Sequence, residues 1–268
     1  MFNNIDLFRK NKLLKNIIET DTPLMIYAIA DLHLSLANPE KSMNVFRGWK
    51  DYIAKIRKNF GQTLQEGDTL VIAGDTSWGM SLEQSLADFH FLEAFPGRKI
   101  LIKGNHDYFW TTKAKMQKFF SDNCLHSFEI LHNNCIISEG FALCGTRGWI
   151  NDGSEPFGQK MIRREAMRLE TSLAEGEKTG LPALCFLHYP PLYAGNACEE
   201  ILSVLKKFKT AKCYYGHIHD PQGHRHAFQG IYEGTRFRMI SADYLDFAPL
   251  ALNPEQTPQG KEGNAVHP

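Results

Sequence analysis

Five short apolar runs, each ending in residues able to hold a metal ion, constrain this chain more than any other feature. Met25–Ala30 (MIYAIA) leads into Asp31 and His33, Thr69–Gly74 (TLVIAG) into Asp75, and Lys99–Gly104 (KILIKG) into Asn105, His106 and Asp107. Ala183–Leu187 (ALCFL) ends at His188, and Lys212–Gly216 (KCYYG) at His217 and His219. Runs this short and this continuous read as buried strands. Helical patterns stand between them: Glu40–Phe60, on the spacing of Val45, Trp49, Tyr52, Ile53 and Ile56; Ser81–Leu92, with Ser81 as N-cap and Gln84 three residues on; and Thr111–Phe120. Gln159–Ala174 places Ile162, Ala166, Leu169 and Leu173 on one face, and Cys198–Phe208 forms a further helix. Two shorter strands are expected at Asn134–Ser138 and Phe141–Cys144, and two late runs, Ala227–Tyr232 and Arg236–Ala242, read as a hairpin. Strands alternating with helices predict a layered α/β domain with some antiparallel pairing.

In open α/β sheets the carboxyl ends of the strands line the ligand crevice. Nine carboxylate, amide and imidazole side chains are therefore expected to converge. Asp31 and His33 are two apart, as are His217 and His219. In extended backbone such pairs point to one face and can share a cation. Mixed oxygen and imidazole ligation suits manganese, iron or zinc and not a soft thiolate site. Carboxylates held this close repel one another, and two divalent cations would resolve that repulsion.

Charge narrows the partners. The 268 residues carry 30 Lys plus Arg and 30 Asp plus Glu, a formal net charge of zero. That disfavours a long nucleic acid, which calls for a basic excess, yet permits a local charged cleft. Residues 1–24 form an N-terminal extension in which Ile5, Phe8, Leu13, Leu14, Ile17 and Ile18 make one helical stripe. It lacks the roughly 7–15 consecutive apolar residues of a secretory signal, and no stretch reaches the roughly 18 of a membrane helix. The six cysteines contain no C-x-x-C pair. A cytoplasmic protein with reduced thiols and no membrane association is the expectation. Residues 25–252 are expected to form the folded domain and 253–268 a flexible tail.

The ordered set D-x-H (Asp31, His33), G-D (Asp75), G-N-H-D (Asn105, His106, Asp107), His188 and G-H-x-H (His217, His219) resembles the calcineurin-like metallophosphoesterases. The match spans about 190 residues with no motif missing. The resemblance implies a four-layer α/β/β/α sandwich with two mixed sheets and a metal site at the strand C-terminal ends. It implies two divalent metal ions, manganese, iron or zinc: one held by Asp31, His33 and His219, the other by Asn105, His188 and His217, with Asp75 bridging. A metal-bridging hydroxide would attack phosphorus, and His106 would stabilise the phosphoryl group or protonate the leaving oxygen. Asp107 would orient His106 or a ligand, or else cap a helix before Tyr108. Family protein phosphatases carry an acid and an arginine shortly after G-D. Here the chain reads G-D-T-S-W-G-M, which disfavours that branch.

Substrate choice should lie in the loops. Arg147, in C-G-T-R-G-W-I-N-D-G, could pair with a substrate phosphate, and Trp78 and Trp149 could wall the cleft or simply pack the core. Lys160, Arg164 and Arg168 stand four apart and read as a solvated helix face before a basic stripe over the cleft. Tyr193 is a weaker rim candidate, and His224 and His226 read as strand or turn residues. The expected function is hydrolysis of a small phosphomonoester or phosphodiester. A nuclease-type phosphodiesterase and a non-catalytic scaffold are the alternatives. Oligomeric state is left open.

Overall fold

Parallel strands buried on both faces form the centre of the molecule, which is described here from a computed structural model covering residues 23–149 and 158–252. The N-terminal stripe and the C-terminal tail expected from sequence fall outside the described residues. The strands are β1 (Ile26–Ile29), β2 (Thr69–Ala73), β3 (Arg98–Ile102), β4 (Phe128–Ile130), β5 (Ile136–Ser138), β6 (Phe141–Thr146), β7 (Ala183–Leu187), β8 (Leu192–Tyr193), β9 (Asn196–Ala197), β10 (Lys212–Tyr215), β11 (Gly230–Tyr232), β12 (Thr235–Met239) and β13 (Leu250–Ala251). The helices are α1 (Tyr52–Thr63), α2 (Leu86–Glu93), α3 (Lys113–Asp122), α4 (Gly158–Glu177), α5 (Glu199–Lys207) and α6 (Asp220–His226).

One sheet runs β13-β1-β2-β3-β4, parallel except for β13. The other runs β11-β12-β10-β7-β6-β5, with a parallel centre and antiparallel edges. Alternation along each strand sends one set of side chains between the sheets: Ala28, Val71, Ala73, Ile100 and Ile102 meet Leu143, Leu184, Phe186 and Tyr214 there. The outer face of the first sheet, through Ile29, Ile72 and Leu101, packs under α1, α2 and α3 at Ile56, Phe60, Phe89 and Met116. The outer face of the second, through Cys144, Cys185 and Leu187, packs under α4 and α5 at Ile162, Leu169, Leu173 and Ile201. The architecture is thus the four-layer α/β/β/α sandwich with two mixed sheets. The cysteines inside the strands act as small hydrophobes. Among the described residues no helix is long and apolar enough to cross a membrane.

Three local readings are corrected. Glu40–Phe60 is not one helix: two short 3-10 turns, Pro39–Lys41 and Met43–Val45, precede α1. Left-handed backbone at Gly48 (φ 91°) and Asp51 (φ 58°) breaks the segment, leaving Val45 83% exposed. The Ser81 cap exists, its hydroxyl accepting from the Gln84 amide while Gln84 Oε1 accepts from the Met80 amide, but it closes a turn, and α2 starts at Leu86. His224 and His226 lie on the short helix α6.

The sheets are stitched together where the site forms. Beyond β1, the Ala30 amide donates to Ile240 O (2.8 Å) and the Ala242 amide donates to Ala30 O (2.9 Å). Ala30 thereby leaves the first sheet to pair with the continuation of β12, which brings the carboxyl ends of both sheets to one edge.

Candidate metal centre

Asp31 and His33 follow β1, Asp75 follows β2, Asn105–Asp107 follow β3, His188 follows β7, and His217 and His219 follow β10. Extended alternation does not bring them together. Asp31 (φ 62°), His33 (φ 44°), Asp75 (φ 51°) and His217 (φ 72°) all adopt left-handed backbone. Tertiary bonds hold that conformation: the Asp31 amide donates to Gly74 O (2.9 Å) and the His33 amide to Asp75 O (2.9 Å). The motif glycines are needed for close approach. A Cβ on Gly104 would lie 2.2 Å from Asp75 N, and one on Gly216 would lie 2.4 Å from Ala30 Cβ.

Asp31, His33, Asp75 and His188 are almost wholly buried. Ligand atoms of Asp31, His33 and His219 lie within 4.8 Å of one another, as do those of Asp31, Asp75 and His188. Asn105 Oδ1 sits 2.6 Å from His188 Nε2 and 3.0 Å from His217 Nδ1. The structure therefore brings together all seven residues named as ligands from sequence.

The donor–acceptor balance fits a cation. His188 Nδ1 lies 3.2 Å from Ala73 O, so a neutral ring donates there and turns its Nε2 lone pair toward Asn105 Oδ1 and, at 3.6 Å, Asp75 Oδ2. Burial lowers the His188 pKa to about 3, so no proton separates these acceptors near neutrality. His219 repeats the pattern. Its Nδ1 lies 3.1 Å from Asp243 Oδ1, leaving Nε2 to face His33 Nε2 at 3.3 Å and Asp31 Oδ1 at 3.6 Å. Asp31 Oδ1 is buried with no hydrogen-bond partner. Burial raises Asp31 to about 8 and Asp75 to about 6, while the Asp31 carboxylate raises His219 to about 9 against its own desolvation. Without a cation these crowded, desolvated groups hold on to protons, and bound divalent cations would take the place of those protons.

Asp107 faces away from this space. Its carboxylate accepts from the amides of Gly104 (2.7 Å), Asp75 (3.0 Å) and Thr76 (2.7 Å), tying the β2 and β3 loops together. It caps no helix, since α3 begins at Lys113 under Thr112. The His106 amide donates to Asp75 Oδ1 (2.8 Å), its ring lies 4.6 Å from Trp78, and its Nδ1 is 3.2 Å from the Tyr108 hydroxyl. Trp78 is stacked on His33 at 4.9 Å, and Trp149 leans on Tyr189 at 5.3 Å. Arg147 meets Glu165 and Trp149. Of the helical stripe, Lys160 and Arg164 are exposed, whereas Arg168 turns to Glu165. Tyr193 is partly buried against the second-sheet core and pairs with Asn196 in the β8–β9 hairpin.

Sequence reasoning passed over three residues here. Asp243, 4% exposed, holds His219 from behind and also meets His224 Nε2 at 3.2 Å. Trp49 packs edge-on against His33 (5.7 Å) and His219 (5.4 Å). Tyr189 covers His217 with ring centroids 4.2 Å apart. Strand-end position was the available signal for Tyr189 and Asp243. Trp49 was absorbed into an apparent helical stripe.

The sequence profile described as calcineurin-like phosphoesterase matches residues 24–221. No curated protein matches the chain. Among solved structures, the phosphopantetheinyl hydrolase of Mycobacterium tuberculosis is 15% identical, with 90% of this chain and 99% of that one covered and a TM-score of 0.50. A protein of unknown function from Aquifex aeolicus is 18% identical over 85% of this chain and 95% of its own, with a TM-score of 0.48. A purple acid phosphatase from yellow lupin (Lupinus luteus) seeds is 16% identical over 88% of this chain and 46% of its own, with a TM-score of 0.47.

Proposed function

Because the chain belongs to the calcineurin-like phosphoesterase family, we propose that it is a metal-dependent hydrolase acting on a small phosphomonoester or phosphodiester. One observation carries this reading: in the buried centre His188 Nε2 is turned on Asn105 Oδ1 at 2.6 Å, and Asp31 Oδ1 has no hydrogen-bond partner. Asp31, His33 and His219 would hold one divalent cation and Asn105, His188 and His217 a second, with Asp75 shared. When bound, such cations activate water near neutral pH and offset charge gathering on the phosphoryl oxygens.

The remaining work falls to the chain. Ala73 O and Asp243 fix the tautomers of His188 and His219, so that each presents its Nε2. Asp107 sets the Asp75 backbone through its amide. His106, half-buried and outside the ligand set, lies within hydrogen-bond reach of the Tyr108 hydroxyl and is placed to protonate the leaving oxygen or to bond a phosphoryl oxygen. The zero net charge confines attraction to the crevice, in favour of a small substrate. The six cysteines, none in a disulfide, suit a reducing cytoplasm.

Metal-stripped protein should be reloaded with Mn²⁺, Fe²⁺ or Zn²⁺ and assayed on nitrophenyl mono- and diesters, with bound metal measured in parallel. The reading expects near-stoichiometric uptake of two metal ions and hydrolysis that depends on them. Uptake of none, or hydrolysis indifferent to chelation, overturns it.

A further inference from the structure

A second charged cluster lies beside the Asn105–His188 end of the crevice. Glu165 on α4, fully buried, accepts from Thr146 Oγ1 (2.7 Å) and Arg168 Nη1 (2.7 Å), and Arg147 Nη2 lies 3.7 Å from the same carboxylate. The Arg147 side chain is only 14% exposed, and its Nε is buried without a partner among the described residues. Two guanidiniums thus face one buried carboxylate, and among the described residues one buried guanidinium N–H is unanswered. A structural ion pair would not require the second guanidinium.

The cluster is tied to the metal-ligand residues. Arg147 O accepts from the amides of His188 (3.0 Å) and Tyr189 (2.9 Å). Rings connect the two places: Tyr189 lies 4.2 Å from His217, Trp149 lies 5.3 Å from Tyr189, and the Arg147 guanidinium sits 4.7 Å over Trp149.

We propose that Arg147 and Arg168 form a second anion subsite, which binds a non-scissile phosphate on the substrate while the scissile ester lies at the metal centre. The substrate class is therefore a small molecule carrying two phosphate groups, its linking portion lying along Tyr189 and Trp149. Arginine forks suit the planar spread of phosphoryl oxygens, and the partly dry setting strengthens each bond. This assignment rests on the phosphoesterase reading above.

The test compares a nucleoside 3′,5′-bisphosphate with the matching 5′-monophosphate on metal-loaded enzyme. The parent should favour the bisphosphate by roughly 10–100-fold in kcat/KM, the worth of one or two charge-assisted bonds. That ratio should fall toward one in Arg147→Gln and in Arg168→Gln. Taking the ratio within each variant cancels losses of metal or folded fraction, and Arg168, at 29% exposed, gives a usable variant should Arg147→Gln fail to fold. In parallel, inorganic phosphate should raise the Tm of the metal-free parent and not of the variants. A ratio near one in the parent, or an undiminished ratio in a folded variant, overturns the subsite. Should the metal-loaded parent hydrolyse no ester, the phosphoesterase reading falls instead. The phosphate-induced Tm shift then judges the subsite alone: its absence in the parent, or its persistence in a folded variant, overturns it.

Discussion

The two sheets bring different chemistry to one crevice. The buried carboxylates that face it, Asp31 and Asp75, follow strands of the first sheet, while the second contributes the imidazoles His188, His217 and His219. Their means of orientation differ too. On the first side, rings do the positioning: His33 is stacked on Trp78 at 4.9 Å and braced by Trp49 at 5.7 Å. On the second, hydrogen bonds add to the ring contacts, with Ala73 O behind His188 and Asp243 behind His219. Acids from one side and imidazoles from the other give a mixed ligand set without stacking several negative charges on one loop, which would raise their repulsion.

His106 is the first-sheet imidazole that stands outside the ligand set, and removing it tests the division most severely. His106→Ala should lower kcat by roughly 10²–10⁴-fold while leaving bound metal unchanged. The loss should be largest for esters with poor leaving groups, since a good leaving group needs no proton. Activity equal to the parent on an alkyl phosphate would remove His106 from the chemistry. Loss of metal along with activity would place it among the ligands instead.

Asp243 is the acid that stands behind the second-sheet imidazoles, and it breaks the comparison from the other side. Asp243→Asn keeps the volume but weakens the hold on His219 Nδ1. Losses of outer partners of this kind amount to roughly 10–100-fold in metal affinity or activity. The expected outcome is weaker uptake of one metal of the two, measured by titration against a chelator, with activity recovering at high metal concentration. Failure to recover would mean that Asp243 acts on the fold and not on the site.

How far the sequence reached differs along the same division. Apolar runs ending in acids, amide and imidazoles made the strand ends legible, because a fully buried parallel strand needs a continuous apolar sequence. The way the ligands converge was not legible. Period-two alternation predicts a shared face for Asp31 and His33, yet both residues are left-handed, in a conformation set by amide bonds to Gly74 and Asp75 on the neighbouring loop. Such bonds exist only after the strands pair. Trp49 was hidden for a related reason: its spacing fits a helix, while left-handed Gly48 and Asp51 place it in a loop against His219. Asp243, one of several acids late in the chain, had no spacing to mark it. Asp107 stood next to His106 in sequence, yet its carboxylate serves backbone amides across two loops, a partnership that only the tertiary structure creates.

The smallest expected effect is on stability, and it separates the two sides by pH. Burial holds the carboxyl of Asp31 at about 8, while its unfolded counterpart titrates near 4. His219 is raised to about 9 by Asp31 and Asp243. From pH 6.5 to 8 the metal-free folded chain therefore gives up protons that the unfolded chain has already lost, and its stability falls as pH rises. The depressed imidazoles His33 and His188 push the other way, but only below the ordinary histidine value of 6.5, where the unfolded chain binds protons that they do not. Above that value Asp31, with His219, controls the slope. Bound metal displaces the same protons, so the loaded protein should lose this dependence. Calorimetric Tm values at pH 6.5, 7.2 and 8.0 should descend for stripped protein and stay nearly level for loaded protein. A Tm that rises with pH in the stripped protein would mean that the carboxylates are already ionised and balanced without metal, and the case for cations at the first sheet's edge would lose its physical ground.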